Sequence, residues 1–259
     1  MSNDRLPPEV VSAAQSGPIR IVPLKIPETV KPAASPAQLV YNGGPLLTAV
    51  QVFTVFWGAA WQQSPASGLI PQLNSFFDAI LTSSLIDQLA EYDTAQYKIG
   101  HGTRIGTITL TTPDPGTSVA DSDIQQMLNN AIANNTAFPQ PTANTLYFVY
   151  LPDGVTVSQG GQSSCQSFCG YHDAINGQTF YAVMPYPGCS GCTGGIATFD
   201  ALTSTSSHEL CEAITDPVPG QGWYDQNNGE IGDICAWQTK QVGNYTVQQE
   251  WSNSANACV

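Results

Sequence analysis

Apolar and polar positions follow two periods along this chain, and each period marks a different kind of element. Residues 50–57 (VQVFTVFW) are almost continuously apolar, β-branched or aromatic after the turn-forming residues 42–45, which predicts a strand buried on both faces. Ile70, Leu73, Phe76, Phe77, Ile80 and Leu81 recur at helical spacing and predict an amphipathic helix ending near Thr82. Residues 104–111 alternate as a strand and stop at the breaker TPDPG. Asp121 is placed to cap a helix that carries Ile124, Met127, Leu128, Ala131 and Ile132 on one face. Residues 146–151 and 179–184 read as further buried strands, and Asp200 as the cap of a helix running to about Ile214. The Gly-, Asn- and Gln-rich remainder reads as loops with a terminal strand. Helices and strands intermix without a repeat, so the expected fold is α+β or α/β: a central mixed sheet, flanking helices and a disulfide-rich C-terminal part.

Residues 1–40 depart from both periods. Pro7, Pro8, Pro18, Pro23, Pro27, Pro32 and Pro36 fall within them, which predicts a leader, propeptide or linker ahead of a single domain at 41–259. The opening MSNDRLPPEV lacks the basic and apolar regions of a signal peptide.

Charge narrows the function classes. Seven Lys and Arg stand against 20 Asp and Glu, for a net charge of −13, and only 10% of residues are charged. That balance excludes a phosphate-tracking nucleic-acid binder and docking on anionic lipid. No apolar run approaches the ~18 residues of a membrane span. Arg5, Arg20, Lys25 and Lys31 lie in the leader, leaving Lys98, Arg104 and Lys240 for an otherwise acidic body. Acid tolerance is the expectation, as is a leader whose cations lie on the body's carboxylates and let go when acid neutralises them.

All seven cysteines fall in the last 95 residues. Cys165, Cys169, Cys189, Cys192, Cys235 and Cys258 are expected to form disulfides in an oxidising compartment, in preference to a four-thiolate zinc site. Cys211, set among Leu210, Ala213 and Ile214, is expected to be the buried thiol left over.

The sharpest chemical signal is Ser207-His208-Glu209-Leu210-Cys211-Glu212. Residues four apart share a helix face, so His208 and Glu212 can grip one cation while Glu209 polarises water beside it. This is the logic of the H-E-x-x-H metallopeptidase helix with glutamate in place of the second histidine. Thr205, His208, Glu209, Glu212 and Asp216 form a polar stripe, and Glu230 or Asp233 returns to supply a third ligand. The competing reading is a solvated acidic helix face with ordinary turn aspartates. His101 reads as a loop residue.

Tyr41-Asn42-Gly43-Gly44-Pro45-Leu46-Leu47-Thr48 with Val52-Phe53-Thr54-Val55-Phe56-Trp57-Gly58, then Phe168-Cys169-Gly170-Tyr171-His172, the Cys189/Cys192 pair, the His-Glu-Leu-x-Glu helix, Trp223-Tyr224 and Glu230-Ile231-Gly232-Asp233-Ile234-Cys235 occur in order. This series resembles the EXORDIUM / phosphate-induced secreted protein family over roughly residues 41–259. Ser207 replaces the glycine usual before the histidine, and the C-terminal stretch is shortened, as in a short, microbial-looking member. The resemblance implies a secreted, disulfide-bonded protein and a Cys235–Cys258 bridge. It carries no settled activity. It also adds His172 as a ligand candidate beside His208, Glu212, Glu230 and Asp233.

The leading expectation is therefore a secreted, zincin-like zinc metallopeptidase acting on peptide or protein and active or stable in acid, monomeric, with Glu209 as general base. The first rival is a noncatalytic module with a structural cation such as calcium. It would bind cell-wall polysaccharide or a receptor, with Trp223, Tyr224, Trp237 and Trp251 stacking on sugars. The second is a metal-free carboxyl hydrolase using Glu209 or Glu212 with Asp216, where Glu212 and Asp216, four apart, can share a proton.

Overall fold

The computed structural model describes residues 21–25 and 36–259. Six strands make one mixed sheet: β1 (Ile21–Pro23), β2 (Gln51–Trp57), β3 (Thr103–Leu110), β4 (Thr145–Tyr150), β5 (Phe168–Ile175) and β6 (Thr179–Met184). Their spatial order is β1-β5-β6-β4-β2-β3. The strands β6, β4, β2 and β3 run parallel, and β5 is antiparallel to both of its neighbours. Helix α1 (Ala66–Ile80) joins β2 to β3, α2 (Asp121–Asn134) joins β3 to β4, and α3 (Thr198–Thr215) follows β6. The fold is α+β, with a mixed sheet between helices.

Two cores explain the unbroken apolar runs. Val52, Phe56, Leu146, Phe148, Tyr150, Ala182 and Met184 face α1 and α3, meeting Leu73, Phe76 and Phe77 of one and Leu202, Leu210 and Ile214 of the other. The alternate positions Phe53, Val55, Trp57, Tyr147, Val149 and Tyr181 face Ile124, Met127 and Leu128 of α2. A strand covered on both sides has no polar face to reveal its period.

Several local expectations shift. Asp121 is the first residue of α2, which follows Ala120, and it caps nothing. Its Oδ1 accepts the hydroxyls of Tyr171 and Tyr181 at 2.7 and 2.8 Å, while Asp123 accepts the Ala120 N–H. Asp200 likewise lies inside the first turn of α3, whose N-cap is Ala197. Strand β5 is absent from the periodicity because FCGYHDAI mixes polar and apolar residues at buried positions. An Asn176-Gly177 turn, both residues at positive φ, closes it against β6.

Within the stretch expected as a leader, Ile21–Pro23 pairs with β5, and at its end Val40, with Tyr41 of the expected domain, pairs with Trp223–Tyr224. Residues 1–20 and 26–35 of that stretch lie outside the described residues. Disulfides join Cys165 to Cys189, Cys169 to Cys192 and Cys235 to Cys258, and Cys211 is a buried free thiol. Among the described residues no helix is long and apolar enough to cross a membrane.

Candidate metal centre

Helix α3 ends where its sequence requires. Pro217 disfavours helical backbone at Asp216, and Asp216 instead turns its carboxylate onto the N–H groups of Gly220, Gln221 and Gly222. Asp216 is thus a loop anchor and not the proton-sharing partner expected for Glu212. Burial pushes its pKa up to about 6 against the lowering effect of those amides.

Every residue of α3 from Ala201 to Thr215 is buried, His208, Glu209 and Glu212 completely. The solvated acidic face is therefore ruled out. Gly170 lets β5 approach the helix closely, since a Cβ there would stand 2.7 Å from the Thr205 methyl group. Two residues on, His172 reaches the helix with Nδ1 3.0 Å from Glu209 Oε2 and 3.5 Å from Glu212 Oε2. Its Nε2 lies 3.1 Å from the Asp216 carbonyl and 3.5 Å from Glu230 Oε1. A carbonyl only accepts, so Nε2 carries a proton, and Nδ1 meets the carboxylates with a second proton or with a cation. Burial would lower the His172 pKa, but Glu230, Glu209 and Glu212 outweigh it and raise it well above the usual imidazole range.

On the other side of the same helix turn, His208 Nε2 is 2.9 Å from Glu212 Oε1 and 4.0 Å from Asp233 Oδ1. Its Nδ1 lies 2.7 Å from Gln248 Nε2. The Gln248 amide is oriented by the Trp237 N–H on its oxygen and the Gly232 carbonyl on its nitrogen. Its N–H therefore points at Nδ1, which places the ring proton on Nε2. Ser207 accepts the Gln248 backbone N–H at 2.9 Å.

The loop carrying Glu230 and Asp233 is held by the Cys235–Cys258 bridge and by the Asp233 N–H on Glu212 Oε1 at 3.1 Å. Gly232 permits its approach, since a Cβ there would lie 2.8 Å from the His208 ring. Burial would raise the Glu212 pKa, yet the two imidazoles hold it at about 2. Burial drives Glu209, Glu230 and Asp233 the other way.

All five residues expected to bind metal, with Glu209, thus come together. Five of the six form two overlapping triads, His172–Glu209–Glu212 and His208–Glu212–Asp233, each with its ligand atoms within 4.8 Å of one another, while Glu230 lies outside both, against His172 Nε2. His208 Nε2, Glu209 Oε1, Glu212 Oε2, both oxygens of Glu230 and Asp233 Oδ1 are buried without a hydrogen-bond partner. Orphaned buried carboxylates are expensive unless a cation or proton meets them, so the donor set fits a divalent ion held by nitrogen and oxygen. His101 lies apart, paired with Asp87 on an exposed surface.

Two polar neighbours escaped the sequence reading. Gln248 carries no motif. Glu250 lies fully buried with both oxygens unpartnered, and nothing in Gln249-Glu250-Trp251 marks it as an interior acid. A groove of about 540 Å³ lined by Pro36, Ala37, Asn228, Asp233 and Trp251 reaches the cluster's edge. The indole N–H groups of Trp223, Trp237 and Trp251 all bond within the chain, and Tyr224 is buried. No known family model matches the sequence, and no curated protein matches it.

Proposed function

We propose that this protein is a metal-dependent hydrolase, a zincin-like metallopeptidase acting outside the cell on peptide or protein. The observation that carries the reading is the set of unpartnered imidazole and carboxylate atoms buried around the H-E-x-x-E helix. His208, Glu212 and Asp233 would hold the ion, zinc being the metal this donor set suits best. When bound, zinc supplies Lewis-acid chemistry, polarising a carbonyl and acidifying water. Glu209 would take the proton from that water on its free Oε1, and its raised pKa suits a group that must also return it. Substrate would enter along the groove that ends on Asp233. The three disulfides and the EXORDIUM-like motif order support an extracellular setting.

The test joins elemental analysis to hydrolysis of a mixed peptide library. The expected result is bound zinc, with turnover abolished by Glu209→Gln while the ion on His208 stays in place. Protein without bound metal, or metal-loaded protein inert toward the library, overturns it.

One observation favours the noncatalytic rival. Glu209, Glu212 and both histidines have no solvent exposure, as for a cation that braces helix, strand and loop. Calcium content with an inert library result would establish that reading.

A further inference from the structure

We infer that the cluster is built for two cations bridged by Glu212, and that the position on His172 fills first. This rests on the cation reading proposed above and extends it from one ion to two. The two oxygens of Glu212 face different imidazoles, Oε1 toward His208 Nε2 at 2.9 Å and Oε2 toward His172 Nδ1 at 3.5 Å. Each imidazole then has a second acid of its own. Glu209 lies against His172, and Asp233 lies beyond His208. A carboxylate spanning two such half-sites is the arrangement of two-metal centres, whose ions stand about 3.5–4 Å apart.

Charge supports two ions over one. Glu209, Glu212, Glu230, Asp233 and Asp216 are all buried or nearly so around two imidazoles, and no lysine or arginine forms an ion pair with any of them among the described residues. One divalent ion on His208 would leave Glu212 Oε2, which belongs to the His172 triad, still without a partner.

The two positions differ in readiness. At His172 the Nε2–H is already seated on the Asp216 carbonyl, so Nδ1 is the free donor once its proton leaves. This backing hydrogen bond is what a ligating imidazole ordinarily has. At His208 the Gln248 N–H occupies Nδ1 and holds the ring proton on Nε2, the atom that must ligate. Filling that position requires the Gln248 amide to give up the Trp237 and Gly232 contacts that orient it. The affinities are accordingly unequal. Glu209 serves as a ligand through Oε2 and keeps Oε1 for the proton.

The experiment is titration of the chelator-stripped full chain with Co²⁺, followed by visible absorption and by electron paramagnetic resonance. Two equivalents are expected in resolved steps at least tenfold apart in affinity, the second attenuating the signal of the first by spin coupling. His172→Ala should remove the tight step, His208→Ala the weak one, and Glu212→Gln the coupling. The wild-type titration alone decides the stoichiometry if a variant does not fold. A single equivalent lost in His208→Ala and kept in His172→Ala overturns the two-ion centre and leaves the one-ion hydrolase standing. No binding at all overturns both.

Discussion

His172 Nδ1 and Glu209 Oε2 meet at 3.0 Å, although one belongs to the sheet and the other to a helix 37 residues later. In metal-free protein this pair neutralises a carboxylate that has no access to water. His172→Ala should therefore cost about 3–5 kcal/mol, the range for removing one partner of a buried pair. Glu209→Ala in the same chain should recover part of that loss. Urea unfolding in chelator, arranged as a double-mutant cycle, measures both. A cost below 1 kcal/mol would mean the contact is not formed in solution.

Metal-free protein should be more stable in mild acid than at neutral pH. Burial raises Asp216 to about 6 and moves Glu209, Glu230, Asp233 and Glu250 upward as well. An acid whose folded pKa lies above its unfolded value binds more protons in the folded state. Stability is then full below the unfolded value near 4 and falls as pH rises through the folded one. Asp216 alone contributes about 2 kcal/mol between pH 7.5 and pH 4.5, or roughly 4–8 °C in Tm for a chain of this size. The raised His172 pKa acts in the same sense, its contribution present below about 6.5 and lost as pH climbs through the folded value. Melting in chelator at pH 4.5 and pH 7.5 reads the difference, and a divalent cation should abolish it. A higher Tm at pH 7.5 in chelator would contradict this account.

Asp225 behaves oppositely. Burial would raise its pKa, but the N–H groups of Gln38, Asn227 and Asn228 and the Asn228 side chain outweigh that and lower it. Its carboxylate holds the Gln38 N–H at 2.7 Å, beside the groove lined by Pro36 and Ala37. A depressed acid gives stability above its unfolded pKa and loses it as pH falls through the folded one, here below the ordinary aspartate range. Hydrogen exchange at Gln38 should stay slow at pH 5 and quicken only below about pH 3.8. Asp225→Asn should quicken it at every pH. Release of Gln38 between pH 5 and 6 would assign the latch to another group.

Gly232→Ala should damage the centre without straining the backbone, because Gly232 has an ordinary negative φ of −82°. The added methyl would press on the His208 ring at 2.8 Å. Overpacking of this kind costs about 1–3 kcal/mol. Cation affinity should fall with it, and isothermal titration of Zn²⁺ measures that. Unchanged affinity would show that the loop yields freely.

Thiol titration should find no reactive group in the native chain and one per chain in denaturant. Cys211 is fully buried, and burial raises its thiol pKa well above the usual range. A native-state thiol, or more than one on unfolding, would contradict the three bridges.

The elements that sequence reading anticipated were those whose residues serve a single purpose. Phe76, Phe77 and Ile80 pack, and their spacing says helix; Thr179–Met184 is apolar throughout and lies in the sheet. His208, Glu209 and Glu212 were legible because helical spacing alone brings them onto neighbouring positions. Strand β5 was not, since Cys169, Gly170, Tyr171, His172 and Asp173 each answer to a different partner and leave no period. Gln248 and Glu250 were invisible for a related reason. Their importance lies in what α3 and the 230–235 loop bring to them, which no local pattern records. The competing picture of a solvated helix face failed because hairpin Thr239–Val242/Tyr245–Gln248 covers α3, a tertiary fact.

The short strand Ile21–Pro23 decides what one edge of the sheet presents. It occupies the outer flank of β5, setting Ile21 against Tyr171 and Val22 against Gly170. Without it, the strand bearing His172 would offer its amides to any extended segment nearby, the usual route to self-association. With it, the flank ends in a three-residue strand whose last member, Pro23, has no N–H to offer and gives its carbonyl to the Trp237 indole. The piece of chain whose composition looks most dispensable thus closes the Phe168–Tyr171 part of one sheet edge, while Thr103–Leu110 forms the other.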